Sequence, residues 1–205
     1  MNPPHLGHVA IARAVHAATS LDRVVVVPAG LPPHRNPPQV SPRARLTMSV
    51  RAFADLDHVV VSDTEVERAE NGEVGYMIDT IEEVIELPSL LGYDDLEVEA
   101  SLVIGADQVV TLERWHRFAD ISALAQIIVV RRPDQVSDSE LRTALEQLRE
   151  QWGDAPKLVD MEPVEISSSL VREVASRGDR AGVAALVPDA IVDDVLHLYG
   201  PAHEH

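Results

Sequence analysis

Five short runs rich in valine and isoleucine recur along the chain, and longer amphipathic stretches separate them. Apolar residues in these runs are consecutive instead of alternating with polar ones, which is typical of strands covered on both faces of a parallel sheet. The predicted strands are residues 23–27, 58–62, 101–104, 127–131 and 157–161. Because helical stretches lie between them, the pattern predicts an α/β fold built on a doubly wound parallel sheet.

Local signals mark where several helices begin. Ser41 followed by Pro42 predicts an N-cap and a first helical turn, and Ser137 with Glu140 predicts a capping box. The predicted helices are residues 8–20, 42–56, 76–87, 121–125, 137–152, a helix that follows residues 166–169 and ends near residue 175, 181–186 and 188–198. On the second of these helices the residues predicted to face the core are Leu46, Val50 and Phe53. Residues 63–75 are polar and charged, and we expect a connector there.

Composition narrows the class of protein. No repeat or change of composition marks a boundary, so we predict a single domain over residues 1–205, with the C-terminal helices from about residue 168 packed on it. The net charge of −17, from 34 acidic and 17 basic residues, argues against a nucleic-acid partner. No apolar run is long enough to cross a bilayer, so no membrane partner is expected. The absence of cysteine fits a reducing, cytoplasmic location.

Two histidines three residues apart, His5 and His8, lie where a loop enters the first predicted helix. Helix N-termini carry unpaired N–H groups and the positive end of the dipole, which suit a phosphate. Gly7 leaves the backbone open to a ligand, and imidazoles donate hydrogen bonds to phosphate oxygens. The alternative is a pair of solvated histidines. A metal site would need further ligands, and none occurs at a suitable spacing.

A serine triplet at residues 167–169 precedes another predicted helix, and Arg172 follows about one turn later. The serines predict either a simple N-cap or a second phosphate-binding helix start, where Arg172 would grip the same phosphates.

Further candidates stand after other strands or in loops. Asp107, after Gly105, would contact ribose or cap a helix, and Trp115 would stack on a planar heterocycle or belong to the core. Arg35 on a proline-rich loop is either a solvated charge or a phosphate contact. There is no cysteine nucleophile, serine elbow or Walker motif. The remaining groups suit positioning and charge stabilisation in phosphoryl or nucleotidyl transfer.

The segments His5-Leu-Gly-His8 and Ile166-Ser-Ser-Ser-Leu-Val-Arg172 resemble the paired signatures His-x-Gly-His and Ile-Ser-Ser-Thr-x-x-Arg of the nucleotidyltransferase superfamily. Within it, the sequence is similar to the bacterial nicotinate-nucleotide adenylyltransferase family. Supporting segments occur in family order at residues 27–35, 76–80, 104–107, 115–117, 131–133, 187–189 and 198–199. The resemblance implies a Rossmann-like nucleotidyltransferase fold.

The resemblance also implies a reaction, in which nicotinate mononucleotide attacks the α-phosphorus of ATP to give deamido-NAD and pyrophosphate. Mg²⁺ would arrive with the ATP phosphates and would have no protein ligands. ATP and the mononucleotide are the implied partners, and self-association into a homo-oligomer stays open. The implied catalytic residues are His5, His8 and Arg172. The implied phosphate or ATP contacts are Gly7, Ser167, Ser168, Gly105 and Asp107, and the implied mononucleotide contacts are Arg35, Tyr76, Thr80 and Trp115.

The sequence departs from the family pattern in three places. Ser169 replaces a frequent threonine, and Met77 replaces a threonine that follows Tyr76. The family begins with a β-strand and a glycine turn before the histidines, and here only three residues precede Pro4. We therefore expect a fold that lacks the family's first strand, and a natural protein that begins about ten residues earlier. A native N-terminus at Met1, measured by mass analysis, would contradict this and would predict low stability and weak activity.

Two alternatives to this function stay open. Another acceptor, nicotinamide mononucleotide or pantetheine phosphate, would make the chain a different adenylyltransferase. A shortened N-terminus would also be compatible with an inactive nucleotide-binding protein.

Overall fold

A computed structural model describes residues 1–31, 40–90, 97–131, 137–152 and 156–201. The chain divides into two compact units. The first unit comprises Met1–Gly75 and Val164–His205, and the second unit comprises Tyr76–Pro163. The proline-rich loop with Arg35 lies largely outside the described residues. The prediction of one domain over residues 1–205 stays a prediction.

Strands and helices alternate, as the apolar pattern predicts. The strands are β1 (Val24–Val26), β2 (Val59–Val61), β3 (Ala100–Gly105), β4 (Ala125–Arg131) and β5 (Lys157–Asp160). The α-helices are α1 (Leu6–Ala18), α2 (Pro42–Ala52), α3 (Thr64–Glu70), α4 (Met77–Leu90), α5 (Ala106–Val109), α6 (Phe118–Leu124), α7 (Asp138–Trp152), α8 (Ser168–Ser176), α9 (Arg180–Ala184) and α10 (Val192–Tyr199). Short 3₁₀ turns lie at Leu112–Arg114 and Asp189–Ile191.

The first unit is built around a parallel pair of strands, β1 and β2, in which Val24 aligns with Val59 and Val26 with Val61. These four valines are half-buried and pack against a core drawn from both ends of the chain. Its buried members include Val9, Ala12, Met48, Phe53, Val171, Val183, Ile191 and Val195. The C-terminal helices therefore share one core with α1 and α2.

Two expectations for the first unit are wrong. Residues 64–70 form helix α3 instead of a connector, because Val66 is completely buried and anchors an otherwise charged segment. Acidic residues in its first turn also suit the positive end of the helix dipole. Val50 is 51% exposed, whereas Leu46 and Phe53 are buried as predicted. The N-cap at Ser41 is confirmed, since its Oγ accepts a hydrogen bond from the Ala44 N–H at 3.2 Å.

The second unit contains a parallel sheet in the order β3-β4-β5. Central strand β4 is the most apolar, with Ile128, Val129 and Val130 at most 1% exposed. Helix α7 begins with the predicted capping box, in which Ser137 Oγ lies 2.6 Å from the Glu140 carboxylate and accepts from the Glu140 N–H at 3.3 Å. Hydrogen bonds from the Ser137 hydroxyl and the Ser137 backbone N–H to the Glu140 carboxylate lower the pKa of Glu140. Parallel strands in both units confirm the α/β class.

No helix within the described ranges has the length and apolar character needed to span a membrane.

Candidate phosphate-binding site

The histidine pair forms the N-terminus of helix α1. His5 is the N-cap residue, with extended backbone angles of φ −151° and ψ 170°. Its N–H donates to Nδ1 of His8 at 3.2 Å, and the centroids of the two rings lie 3.8 Å apart. His8 thus occupies the position that glutamate takes in a conventional capping box. The spacing of three residues places the His8 imidazole against the N–H of the N-cap residue, with the His5 ring beside it.

This hydrogen bond also determines where His8 carries its proton. Because Nδ1 accepts a hydrogen bond, the proton of the neutral ring lies on Nε2, and that nitrogen is the donor of the ring. His5 is 4% exposed, whereas His8 is half-buried. His8 is therefore the more accessible ring of the pair.

Gly7 makes room for the His5 ring. A Cβ atom at Gly7 would lie 2.9 Å from His5 Nδ1 and 3.0 Å from His5 Cε1, with Val164 Cγ1 at 3.6 Å. The glycine is predicted from sequence to admit a ligand to the backbone, and that role stays a prediction. Its packing beside the imidazole is a separate reason for a residue without a side chain.

The N-terminus of α8 lies against the loop that carries the histidines. Ser168 Oγ donates to the Pro3 carbonyl at 2.9 Å, and Arg172 Nη1 donates to the Asn2 carbonyl at 2.6 Å. Arg172 Nη2 also donates to Ser169 Oγ at 3.0 Å. Ser168 and Arg172 are thus joined to the two residues that lead into the histidine pair, about 165 positions earlier in the chain.

Ser167 is the N-cap of α8, and its Oγ accepts from the Leu170 N–H at 3.1 Å. The N-cap alternative for the serine triplet is therefore correct for this residue. A phosphate contact from Ser167 stays a prediction.

Arg45, which the motifs do not single out, is 1% exposed. Its guanidinium donates to the carbonyls of Val40, Ala29 and Gly30, and no carboxylate among the described residues pairs with it. Burial lowers its pKa. The sequence gives no signal that Arg45 is buried, because its acceptors are backbone carbonyls, which carry no residue signature. Arg43, two positions earlier on the same helix, is exposed.

Other predicted contacts lie in the second unit, at the start of α4 and after β3. Tyr76 N–H donates to Asp79 Oδ2 at 3.2 Å, and Thr80, 3% exposed, donates its hydroxyl to the Tyr76 carbonyl at 3.4 Å. The Tyr76 ring lies 4.3 Å from that of His116, which sequence reasoning did not single out as a contact. The two rings are tilted by 36° to each other, and nothing in the sequence next to His116 signals this contact.

Gly105 is the N-cap residue of the short helix α5, and it leaves space for a carboxylate. A Cβ at Gly105 would lie 2.4 Å from Asp107 Oδ1, while Asp107 Oδ2 accepts from Gln108 Nε2 at 2.8 Å. Trp115 is half-buried and packs against the core of the second unit, so part of its ring surface belongs to the core. Arg35 lies outside the described residues, and its role stays a prediction.

The donor set of the first unit suits an anion better than a cation. Its groups are N–H and O–H donors of histidine, serine and arginine, whereas Mg²⁺ prefers carboxylate and carbonyl oxygens. Within the described ranges, no three histidine, aspartate or glutamate side chains converge as metal ligands would. Donors of this kind suit phosphate oxygens, and a magnesium ion brought by the ATP phosphates stays a prediction.

Comparisons with known proteins agree on one family. The cytidylyltransferase-like family model matches residues 1–174. A Pseudomonas fluorescens protein named "Probable nicotinate-nucleotide adenylyltransferase" is 33% identical over 202 residues, covering 93% of this chain and 88% of that protein. A Trichlorobacter lovleyi protein of the same name is 33% identical, with 98% and 95% covered.

A solved structure shares the fold. Plasmodium falciparum nicotinic acid mononucleotide adenylyltransferase, complexed with NaAD, superposes with a TM-score of 0.68 over 97% of this chain and 93% of that chain. Its sequence identity is 14%, so the likeness concerns the fold alone.

Proposed function

The chain belongs to the cytidylyltransferase-like family and, within it, to the nicotinate-nucleotide adenylyltransferases, and we propose that it transfers the adenylyl group of ATP to nicotinate mononucleotide. The products are deamido-NAD and pyrophosphate, which places the reaction in NAD biosynthesis. One observation carries the proposal for this chain. Ser168 and Arg172 of the second signature segment donate hydrogen bonds to the carbonyls of Pro3 and Asn2, which stand just before the first segment, about 160 residues earlier.

The chemistry is an in-line displacement at phosphorus. An oxygen of the mononucleotide 5′-phosphate forms a bond to the α-phosphorus, and the bond from that phosphorus to the α–β bridging oxygen breaks. The electron pair leaves with pyrophosphate. No protein nucleophile is needed, so the protein contributes positioning and stabilisation of the charge that develops on the phosphate oxygens.

The residues of the first unit would supply that stabilisation. His8, with its proton on Nε2, would donate to the α- or β-phosphate, and His5 beside it would hold the same phosphates. Arg172 and the N-terminus of α8, with Ser167 and Ser168, would bind the phosphate chain and the departing pyrophosphate. Gly7 contributes by allowing the His5 ring its position.

Mg²⁺ bound to the ATP phosphates would neutralise part of their negative charge. The histidine, serine and arginine donors would face phosphate oxygens, and none of them is assigned as a metal ligand.

The resemblance assigns the other parts of the two substrates to the remaining candidate residues. Asp107 after Gly105 would accept hydrogen bonds from ribose hydroxyls, as its carboxylate accepts from Gln108 in the structure. Trp115 would stack on the nicotinate ring. Arg35, Tyr76 and Thr80 would line the mononucleotide side.

Pyrophosphate release from ATP tests the proposal. The purified chain is assayed with nicotinate mononucleotide, nicotinamide mononucleotide and pantetheine phosphate as acceptors. We expect the nicotinate substrate to be preferred. Preference for another acceptor would contradict the proposed substrate, and ATP binding without turnover on any acceptor would indicate a nucleotide-binding protein that lacks activity.

A substitution at the histidine pair tests the site. His8→Ala removes one preorganised donor, and we expect kcat to fall by about 100-fold or more, as for loss of a transition-state donor elsewhere. The matched control is His197→Ala, on the exposed face of α10, which should retain activity. Turnover retained in His8→Ala, with the protein folded, would exclude the assigned role.

A further inference from the structure

The loop that carries the histidines is held at several points by the C-terminal helices. Besides the bonds from Ser168 and Arg172, the Leu6 N–H donates to the Leu186 carbonyl at 3.0 Å. A fourth bond comes from the last residue of α10, where the Tyr199 hydroxyl donates to Asn2 Oδ1 at 2.6 Å. Of these, the bond from Tyr199 is the one made to a side chain of the loop.

Tyr199 is well placed to act as a fixed donor. Its ring is half-buried against the core of the first unit, so packing holds the hydroxyl in place. Burial raises its pKa to about 12, although the nearby guanidinium groups of Arg45 and Arg172 act in the opposite direction. The hydroxyl therefore keeps its proton throughout the physiological range, and the direction of the bond does not change with pH.

We propose that Tyr199 is a positioning residue for the histidine pair and acts through the side chain of Asn2. Arg172 fixes the backbone carbonyl of Asn2, and Tyr199 fixes its side chain, so the residue is held at two separate atoms. The inference rests on the proposed function, because it concerns the placement of groups assigned there to the phosphates.

The rigidity of the loop explains how the hydrogen bond from Tyr199 to Asn2 affects the position of the histidines. Only Pro3 and Pro4 stand between Asn2 and His5, and both are buried. Proline rings fix φ near −65°, which removes two of the rotations that could absorb a movement of Asn2. A displacement of Asn2 is therefore transmitted to His5, and through the close ring contact to His8.

A purely structural role for Tyr199 predicts something different. In that case removal of the hydroxyl would lower Tm and leave the chemical step and the environment of the imidazoles as they were. A positioning role predicts a fall in kcat with nearly constant KM, since the binding contacts themselves remain.

Tyr199→Phe removes the hydroxyl and keeps the ring in the core. Loss of one neutral hydrogen bond corresponds to about a 3- to 10-fold effect, so we expect kcat to fall by that factor and KM for ATP to change by less than about twofold. Asn2→Leu removes the acceptor, and the double variant should show no further loss. Ser176→Ala, which deletes an exposed hydroxyl on α8, is the matched control and should leave kcat unchanged.

Histidine ring NMR signals supply a readout that does not depend on turnover. Signals of His5 and His8, assigned from His→Gln variants, should shift in Tyr199→Phe and stay in place in Ser176→Ala. Unchanged ring signals, or an unchanged kcat in an active protein, would overturn the positioning role. If the wild-type chain turns over no acceptor, the proposed function fails, and the ring signals alone still decide the role of Tyr199.

Discussion

The packing of Gly7 against His5 predicts the outcome of a very small substitution. Gly7→Ala adds one methyl group to helix α1. That group would lie 2.9 and 3.0 Å from two atoms of the His5 ring, distances that real Cβ atoms rarely show. The ring is 4% exposed and cannot move away without losing part of its burial.

Two opposing effects determine the change in the free energy of unfolding. Alanine is favoured over glycine inside a helix by about 1 kcal/mol, and less in the first turn where Gly7 lies. Inserting a methyl group into a well-packed site costs about 1–3 kcal/mol. The steric cost is larger, and we expect a net destabilisation of about 1–2 kcal/mol together with reduced turnover, because His5 must shift.

Removing the His5 ring should reverse the sign of this effect. In a His5→Ala background the two closest atoms are gone, and the remaining neighbour, Val164 Cγ1 at 3.6 Å, is at ordinary contact distance. Gly7→Ala should then stabilise the protein by up to about 1 kcal/mol through helix propensity alone.

Urea unfolding of the wild type, Gly7→Ala, His5→Ala and the double variant measures the effect of the added methyl group with and without the His5 ring. Equal m-values check that the unfolded states are comparable. If Gly7→Ala left the free energy of unfolding unchanged or raised it while His5 is present, the packing argument would be refuted. An equal loss in both backgrounds would also refute it, and would assign the need for glycine to the backbone.

Two further predictions follow from buried charged and titratable groups. Arg45→Met leaves three carbonyl oxygens without their donor and should lower the free energy of unfolding by about 2 kcal/mol or more, whereas Arg43→Met, which breaks an exposed ion pair with Glu70, should cost less than about 1 kcal/mol. If urea unfolding showed equal, small losses of the free energy of unfolding in both variants, the value expected for Arg45→Met would be contradicted. Wild-type stability should fall as the pH drops below 6.5, because burial lowers the pKa of His58 and the unfolded chain then binds more protons. The His58 ring stacks on that of His16, with centroids 4.0 Å apart, and His58→Phe keeps a ring there. In this variant this part of the pH dependence should vanish, and a difference in stability between the two proteins that stays constant from pH 7.5 to 5.5 would contradict it. Neighbouring titratable and charged groups also act on the pKa of His58. His16, Arg13 and Arg23 lower it, and Asp57 raises it.

Local sequence was sufficient for the features that depend on neighbouring residues. Consecutive valines form parallel strands because a doubly covered sheet needs apolar residues on both faces. The caps at Ser41 and Ser137 are confirmed, since each bonds a backbone N–H three residues away. The same local reasoning failed for α3, where one buried valine outweighs a charged composition, and for Val50, whose burial depended on which side of α2 met the core.

The motifs predict phosphate-binding chemistry, and the structure shows which atoms of the protein the motif residues contact. Sequence placed His5 and His8 at a helix start and Arg172 near a second one. The hydrogen bonds from Arg172 to Asn2 and from Tyr199 to Asn2 span 170 and 197 positions, and the acceptors include a backbone carbonyl that carries no residue signature. Periodicity and capping rules describe only interactions a few residues apart. The sequence by itself therefore predicted the kind of chemistry at the histidine pair, whereas the tertiary structure decided how that pair is held, because long-range partners are fixed only when the chain folds.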